Sequence, residues 1–367
     1  MKKIERRDFL KKTSIAVAGA GLLTACNSKN ENTAPAITNK KKYNWKMVTA
    51  WPPHFPILGE GADKLAKDIE KISGGQLKIR VYGGGELVPP LESFDAVSQG
   101  IAEMCHSASY YWAGKVPASQ FFTSLPFGMN TIQTYAWLQE GGGHDLWKEV
   151  YEKFNLIPFP AGCTSGQMGG WFNKKINSKN DLNGLKIRIP GIGGKVYTKA
   201  GSSAILSAGG EIYTNLERGV IDAAEWVGPY HDYLMGFHKI AQYYYYPSWH
   251  ETTGVVELVV NKNAFESLPA DLQKLVEETA SAYNIKMISE FEAKNAEYLE
   301  KIKNETNVKI EKFPDEVLES FKEYSKEVID EIVSNDAMSK KVYDSYKKFQ
   351  NRGNTWVSMS QLNYSVS

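Results

Sequence analysis

Two neighbouring stretches of the sequence decide the fold and the site: Ile221-Asp-Ala-Ala-Glu-Trp-Val-Gly-Pro-Tyr230, and then Tyr243-Tyr-Tyr-Tyr-Pro-Ser-Trp-His-Glu251. Glu225 lies among alanines, a tryptophan and a valine. In such surroundings, burying even an uncharged polar group without a partner costs roughly 2 to 7 kcal/mol. Glu251 follows a tryptophan and precedes an apolar run, so it raises the same question. One cation held by both carboxylates would stabilise both charges.

The first 26 residues have the features of an export signal. Arg6-Arg-Asp-Phe-Leu-Lys11 resembles a twin-arginine signal. The apolar run Ile15–Ala25 is shorter than the roughly 20 residues that span a bilayer. Leu23-Thr-Ala-Cys26 resembles a bacterial lipobox, which predicts a lipidated N-terminus at Cys26; an ordinary signal peptide is the alternative. Residues 27–42 are typical of a flexible tether, so we expect a periplasmic or cell-surface protein anchored to the membrane.

Composition narrows the class of protein. The chain has 367 residues, so the part after the tether suits two domains of ordinary size. A formal net charge of +1 and a pI near 7.6 give no electrostatic footprint for nucleic acid. Cys105 and Cys163 lie in apolar or small-residue surroundings, which favours two buried thiols, with a disulfide as the alternative.

Strand and helix patterns alternate at the start of the globular part. Residues 43–81 have the spacing of a strand, a helix and a strand, and residues 91–107 that of a helix and a strand. This order predicts a mostly parallel sheet flanked by helices. Val255–Asn261 is a further apolar strand, which we interpret as the chain returning to this first unit.

A second unit begins near Cys163. Residues 166–173 and 185–189 have strand patterns, and period-two alternation places Arg188 opposite its apolar neighbours. Thr214-Asn-Leu-Glu217 fits a capping box, which predicts that a short helix starts there.

A long helix is predicted from Pro269 onward. Its apolar stripe persists for about 35 residues, or some 50 Å at 1.5 Å per residue, which exceeds one small domain. We therefore expect an α/β fold of the periplasmic-binding-protein type, a two-lobed clamp with hinge strands and one helix spanning both lobes. The predicted lobes are 43–162 with 254–300, and 163–253 with 301–334.

The segment 335–367 is predicted to be a C-terminal helix and tail, with helices at Asp315–Ser334 and near Ala337–Gln350. Apolar side chains share one face of the last helix: Val342, Tyr343, Tyr346 and Phe349. A second copy of the chain is one partner for this face, which makes the segment a candidate dimerisation element. Packing back onto its own domain is the alternative.

Several motifs suggest chemistry that the sequence does not support. The clusters Gly83–Gly85, Gly141–Gly143 and Gly191–Lys195 are interpreted as turns, because the last lacks the spacing and the Ser or Thr of a phosphate loop. The histidines have no metalloprotease spacing, and we interpret His250 as structural. No nucleophile elbow is visible, so we predict a protein that is not an enzyme.

Together the motifs resemble the extracytoplasmic solute-binding subunits of tripartite ATP-independent periplasmic (TRAP) transporters, in the branch that binds 2-oxo acids such as pyruvate. The resemblance runs from about Trp45 to Phe313. It is carried by both opening stretches and by Ala108-Ser-Tyr-Tyr-Trp112, Gln167-Met-Gly-Gly-Trp-Phe172 and Leu185-Lys-Ile-Arg188.

The resemblance implies a role for each site residue. It implies that Arg188 binds the substrate carboxylate, to which its planar fork is suited. The cation ligands that it implies are Glu225, the Trp226 carbonyl, the Gln167 amide oxygen and Glu251. The pocket residues that it implies on the other lobe are Tyr110 and Tyr111. An all-oxygen shell selects a hard cation, sodium or calcium, which would also touch the substrate.

The partners that the resemblance implies are a small carboxylate and the small and large membrane subunits. Two glutamates, one arginine and a monocarboxylate leave a formal charge of −2, which favours calcium over sodium on charge alone. Three alternatives stay open: a binding lipoprotein for 2-hydroxy acids such as lactate, an amino-acid-binding subunit of an ATP-driven importer, and a hydrolase using Glu225 and Glu251. A metal on both glutamates would remove the general acid that the hydrolase needs.

Overall fold

The structure is a computed structural model that describes residues 41–360. Cys26, the export signal and nearly all of the tether lie outside the described residues. The strands are β1 Tyr43–Thr49, β2 Leu77–Tyr82, β3 Met104–Ser107, β4 Leu156–Cys163, β5 Gly170–Phe172, β6 Lys186–Arg188, β7 Ser203–Ile205, β8 Ala223–Ala224, β9 Tyr243–Tyr246, β10 Val255–Asn261 and β11 Lys309–Lys312.

The helices alternate with these strands and then follow them. They are α1 Leu58–Ile72, α2 Ser93–Ser98, α3 Gln120–Thr123, α4 Thr131–Glu140, α5 Gly143–Glu152, α6 Gly191–Lys199, α7 Ile212–Glu217, α8 Pro229–Leu234, α9 Lys262–Glu266, α10 Ala270–Glu305, α11 Asp315–Asn335 and α12 Ala337–Ser360.

The first sheet has the strand order β2-β1-β3-β10-β4. β2 and β3 pair parallel with β1, whereas β10 runs antiparallel to both β3 and β4. The strand β10 does return to the first unit, but the expectation of a mostly parallel sheet is wrong, because the sheet is mixed. β10 arrives from the other sheet rather than through a local βαβ crossover, so the crossover rule does not fix its direction.

The second sheet has the strand order β11-β9-β5-β8-β6-β7 and is also mixed. β6 pairs parallel with β7 and β8, so these strands end at the same edge. The tyrosine run forms β9, whose Tyr244 and Tyr245 are buried. The limits of the two lobes stay a prediction, although the strands of each sheet fall within the predicted ranges apart from Cys163, the last residue of β4.

The helix α10 spans both sheets, as predicted. Its first half packs against the first sheet, with Leu272 and Val276 in that core. In its second half the Phe291 ring lies 4.9 Å from the ring of His231 in α8, and the Asn295 side chain accepts a hydrogen bond from the Tyr230 amide (3.1 Å). The helix therefore connects the two halves of the fold.

Two local predictions are wrong. The short helix α7 begins at Ile212 and contains Thr214, so the capping box does not form; the buried Ile212 and Leu216 anchor the helix two residues earlier. Gly191–Lys195 is not a turn but the start of α6. A Cβ at Gly194 would lie 2.9 Å from the carbonyl oxygen of Ile189, in the connection between β6 and α6, so the backbone leaves no room for a side chain there.

The C-terminal helix differs from its prediction in length and in contacts. α12 continues through Gly353 to Ser360 instead of ending near Gln350. Val342 and Tyr346 are buried against their own chain, and the Met129 amide donates to the Tyr346 hydroxyl (2.6 Å). The structure therefore shows this face packed against its own chain, which was the alternative prediction. The face no longer supports a dimer.

Cys105 and Cys163 are both buried and free, so the interpretation as two buried thiols is confirmed. Among the described residues, no helix combines the length and the apolar character needed to cross a membrane.

Glu257, on β10, is a buried carboxyl in the first sheet. Its oxygens accept hydrogen bonds from the Trp112 indole (2.6 Å) and the Tyr151 hydroxyl (2.9 Å). Burial raises the pKa of Glu257 from 4.5 to about 7, and the two hydrogen bonds oppose that shift only in part. Between these two values the folded protein holds a proton that the unfolded chain has lost, so stability falls as the pH rises through this window.

Replacing Glu257 by glutamine is therefore expected to stabilise the protein at alkaline pH relative to the unmodified chain. Glutamine keeps the shape of the side chain without the buried charge. The difference in melting temperature between variant and parent should grow from pH 5 to pH 8.5, as followed by circular dichroism. The exposed Glu300→Gln change is the control, with an equal effect at both values. If the difference in melting temperature for Glu257→Gln did not change with pH, the raised pKa of Glu257 would be contradicted.

Candidate functional site

Two adjacent strand ends of the second sheet place an arginine and a glutamate side by side. Arg188 is the last residue of β6, and Glu225 directly follows β8, its parallel neighbour. The Glu225 amide continues the ladder by donating to the Arg188 carbonyl (2.9 Å). Carboxyl ends of neighbouring parallel strands are a common place for ligand sites in α/β sheets.

Glu251 and Gln167 come from the two connections that cross between the sheets. Gln167 lies between β4 and β5, and Glu251 between β9 and β10. The Gln167 amide nitrogen donates to Glu251 Oε2 (2.5 Å) and to Thr164 Oγ1 (3.1 Å). These bonds use the amide nitrogen of Gln167 and leave its buried amide oxygen without a partner among the described residues.

The predicted site residues are enclosed. Arg188 and Glu225 are each 1 % exposed, and Glu251 is 3 % exposed. The Arg188 guanidinium donates through Nη1 to the Glu225 main-chain carbonyl (2.7 Å) and through Nε to the Ser207 carbonyl (3.2 Å). Its Nη1 lies 3.6 Å from Glu225 Oε2, too far for a hydrogen bond. These contacts fix the orientation of the guanidinium while leaving one of its nitrogens free.

Several buried polar atoms here have no hydrogen-bond partner among the described residues. They include Arg188 Nη2, both carboxylate oxygens of Glu225, the amide oxygen of Gln167 and both ring nitrogens of His250. Such atoms are costly in a folded protein unless something else satisfies them. A free donor on the arginine fits an anion, and three free acceptor oxygens fit a cation.

The pKa values of the two carboxyl groups are consistent with a bound cation. Burial raises the pKa of Glu225 from 4.5 to about 8, against the opposing effect of Arg188. Burial also raises the pKa of Glu251 to about 8, and the charge of Glu225 adds to the shift. The carboxylates are therefore poorly stabilised by the surrounding protein. A bound cation would supply the missing positive charge.

His250 joins the cluster, although the sequence favoured a structural role for it. Its Nε2 lies 3.5 Å from Glu225 Oε1, and one ligand atom from each of Glu225, His250 and Glu251 falls within 4.8 Å of the others. Burial lowers the pKa of His250 to about 4, so the imidazole is neutral. The sequence feature that could have indicated this proximity is the position of His250 next to Glu251.

The two tyrosines reach the site from the first sheet. Tyr110 and Tyr111 lie in the turn that follows β3, with ring centroids 4.8 Å apart. Burial raises the pKa of both phenols, which therefore stay neutral. Trp226 places its ring 5.3 Å from the Arg188 guanidinium carbon, a cation–π contact that the sequence did not predict.

A small cavity adjoins the cation cluster. Its lining comes from both sheets and comprises Trp51, Leu58, Ala108, Tyr110, Tyr111, Thr123, Thr164, Gln167, Trp226, Val227, Gly254, Val255 and Val256. Trp51 and Leu58 were not among the predicted site residues. Trp51 follows the carboxyl end of β1, a position that could have pointed to it.

Most of the chain matches a known family of binding proteins. Residues 47–336 match the family described as bacterial extracellular solute-binding protein, family 7 (DctP). A monocarboxylate 2-oxoacid-binding periplasmic protein of Nostoc sp. is 40 % identical over 361 residues, which are 98 % of each chain.

Two solved TRAP solute-binding proteins share the fold. The protein of Pseudoalteromonas atlantica, with bound sodium and pyruvate, is 41 % identical, with a TM-score of 0.87 over 89 % of this chain and 100 % of that one. The protein of Bordetella bronchiseptica, a mixed-occupancy dimer with copurified calcium and picolinate, is 38 % identical, with a TM-score of 0.86 over 88 % of this chain and 95 % of that one. The expected clamp fold is thereby confirmed, and the chain belongs to the DctP family of bacterial extracellular solute-binding proteins.

Proposed function

We propose that this chain is the extracytoplasmic solute-binding subunit of a TRAP transporter and that it captures a small, pyruvate-like 2-oxo monocarboxylate together with a cation. One observation supports this most directly: the Arg188 guanidinium, with Nη2 free, lies 3.6 Å from a Glu225 carboxylate whose two oxygens are both free. A site with a donor for an anion next to acceptors for a cation suits a carboxylate that itself binds the cation.

The residues take the following roles in the proposal. Arg188 binds the substrate carboxylate. The cation ligands are Glu225, the Trp226 carbonyl, Gln167 Oε1 and Glu251, and the substrate completes the shell through its carboxylate and 2-oxo oxygens. Tyr110 and Tyr111 contact the ligand from the first lobe. The net formal charge of −2 favours calcium, and each of the two solved relatives holds sodium or calcium.

Binding rather than catalysis follows from the same arrangement. A cation on both glutamates leaves neither as a general acid. Because the ligand contacts both lobes, it binds the closed arrangement more tightly than the open one. Binding therefore favours closure. The membrane subunits would then receive the substrate from this closed form.

Isothermal titration calorimetry tests the proposal. Metal-stripped protein in sodium-free buffer is titrated with pyruvate, lactate and alanine, each in the absence of added cation, with calcium and with sodium. We expect heat from pyruvate only when a cation is present. Tighter binding of lactate would favour the 2-hydroxy-acid alternative, and tighter binding of alanine the amino-acid alternative. Cation-independent pyruvate binding would overturn the metal-bridged site.

A lipid anchor at Cys26 is part of the proposal and rests on the sequence alone, because Cys26 lies outside the described residues. It would hold the protein at the membrane surface, within reach of the membrane subunits. Replacing Cys26 by alanine should move the exported protein from the membrane fraction to the soluble fraction. Equal partition of both forms would contradict the anchor.

A homodimer also remains a proposal. The face of α12 around Tyr346 packs on its own chain, but Trp356 and Met359 near its end are 68 % and 81 % exposed. The Bordetella bronchiseptica relative is a dimer. Light scattering at micromolar concentration should give twice the chain mass, and a Trp356→Ser, Met359→Ser double variant should give the monomer mass. A monomer in both would contradict the dimer.

A further inference from the structure

The main chain from Glu225 to Val227 is held by hydrogen bonds at both ends. The Glu225 amide donates to the Arg188 carbonyl (2.9 Å), and the Glu225 carbonyl accepts from Arg188 Nη1 (2.7 Å). The Val227 carbonyl accepts from the Met168 amide (3.3 Å). Between these contacts lies the peptide unit that joins Trp226 to Val227, and its carbonyl is one of the proposed cation ligands.

This peptide unit is bonded to Asp232 through its N–H group. The Val227 amide donates to Asp232 Oδ1 (3.3 Å), and within residues 41–360 the Trp226 carbonyl accepts no hydrogen bond. The unit is trans, since the one cis peptide bond in the described chain is Tyr246–Pro247. In a planar trans unit the N–H and the C=O point in opposite directions. The bond to Asp232 therefore directs the Trp226 carbonyl away from Asp232 and leaves its oxygen free.

Asp232 is itself fixed by the core of the second sheet. It lies on α8 and is 1 % exposed. Its second oxygen, Oδ2, accepts hydrogen bonds from the Tyr244 hydroxyl (2.7 Å) and the Trp171 indole (2.9 Å). These two rings stack with their centroids 4.0 Å apart. The carboxylate thus has one oxygen anchored in the core and the other presented to the Val227 amide.

We propose that Asp232 is a positioning residue of the cation site: by accepting from the Val227 amide, it holds the Trp226 carbonyl in the orientation that binds the cation. This inference rests on the proposed function, in which that carbonyl is a ligand. Replacing a residue that orients a metal ligand typically costs roughly 10- to 100-fold in metal affinity. A role in packing alone would not require an acceptor beside the Val227 amide.

Asp232→Asn should lower the calcium affinity about tenfold, measured by calorimetry in sodium-free buffer with pyruvate present. Asparagine keeps the shape of the side chain, but one of its two ends is a donor. The two shorter bonds keep its oxygen toward Trp171 and Tyr244, so its amide nitrogen meets the Val227 N–H, donor against donor. Glu257→Gln is the matched control and should keep the parental affinity. Glu257 is also buried and bonded to an indole and a phenol, but in the first sheet and outside the proposed cation shell.

Removing the indole donor should restore calcium binding. In the double variant Asp232→Asn, Trp171→Phe, the asparagine can turn over, so that its nitrogen donates to the Tyr244 hydroxyl and its oxygen accepts from the Val227 amide. The calcium affinity should return to within about threefold of that of Trp171→Phe alone. Damage to packing would instead make the double variant bind more weakly than either single variant. A double variant that binds no better than Asp232→Asn would overturn the positioning role.

An apolar network covers a loss of folding in Asp232→Asn. Replacing a buried polar network as a whole by apolar residues of similar size often keeps the fold. The triple variant Asp232→Leu, Trp171→Phe, Tyr244→Phe should therefore show a cooperative melting transition by circular dichroism. It has no acceptor for the Val227 amide, so its calcium affinity should still fall about tenfold. Parental calcium affinity in this variant, or in folded Asp232→Asn, would overturn the role of Asp232. If the unmodified protein binds no calcium in the presence of pyruvate, the proposed function fails instead.

Discussion

Replacing Arg188 by alanine is expected to weaken pyruvate binding by at least a hundredfold while the fold is kept. The substrate carboxylate would be enclosed beside Glu225 and Glu251 without its positive partner. Breaking a buried ion pair from one side costs roughly 3 to 5 kcal/mol, and each 1.4 kcal/mol is a factor of ten in affinity. Calorimetry with calcium present measures the loss directly.

Calcium binding measured in the absence of pyruvate distinguishes the loss of the carboxylate-binding residue from general damage to the site. The proposed calcium ligands all remain in Arg188→Ala, and the nearest cationic charge, 3.6 Å from Glu225, is gone. Calcium affinity should therefore be kept or increased. Arg188→Lys keeps the charge but not the planar fork, so its pyruvate affinity should be intermediate. The exposed Arg80→Ala change is the control and should bind as the parent does. Unchanged pyruvate affinity in Arg188→Ala would show that the carboxylate is bound elsewhere.

The parts of the fold that the sequence predicted are those that depend on local pattern. α10 begins one residue after Pro269, where a proline cap and a long apolar stripe both indicate a helix. Alternation around Arg188 predicted β6, and the apolar run from Val255 predicted β10. The grouping of Arg188, Glu225 and Glu251 followed from unpaired charges in apolar sequence together with a family resemblance. Their roles stay predictions.

The features that the sequence missed depend on contacts between distant residues. The antiparallel direction of β10 is set by its neighbours in the sheet, not by its own residues. α12 continues past Gly353, and the buried Val342 and Tyr346 dock it onto its own chain. The proximity of His250 to Glu225 (3.5 Å) was not predicted either, because a lone histidine carries no spacing signal, and the structural interpretation of His250 stays a prediction.

The second large effect is expected for Glu251→Gln, which should weaken calcium and pyruvate together. In the proposed site the cation binds the substrate and both glutamates, so each ligand contributes to the affinity of the other. Linkage then requires the coupling to be reciprocal: the factor by which calcium raises pyruvate affinity equals the factor by which pyruvate raises calcium affinity. Glutamine can still accept a hydrogen bond from Gln167, so the geometry is kept while one charge is removed.

Glu257→Gln provides the matched control for this prediction, because Glu257 is a buried carboxyl with a raised pKa on the neighbouring strand but outside the proposed cation shell. Both variants and the parent are titrated in sodium-free buffer, with pyruvate at several calcium concentrations. Glu251→Gln removes one buried anionic ligand of the cation. Because each 1.4 kcal/mol is a factor of ten, we expect the calcium affinity to fall by more than tenfold. The coupling factor should fall in Glu251→Gln and stay at the parental value in Glu257→Gln. If pyruvate affinity in the chelator-treated parent equals that with calcium, no cation bridges the protein and its substrate, and Glu251 must stabilise the site in another way.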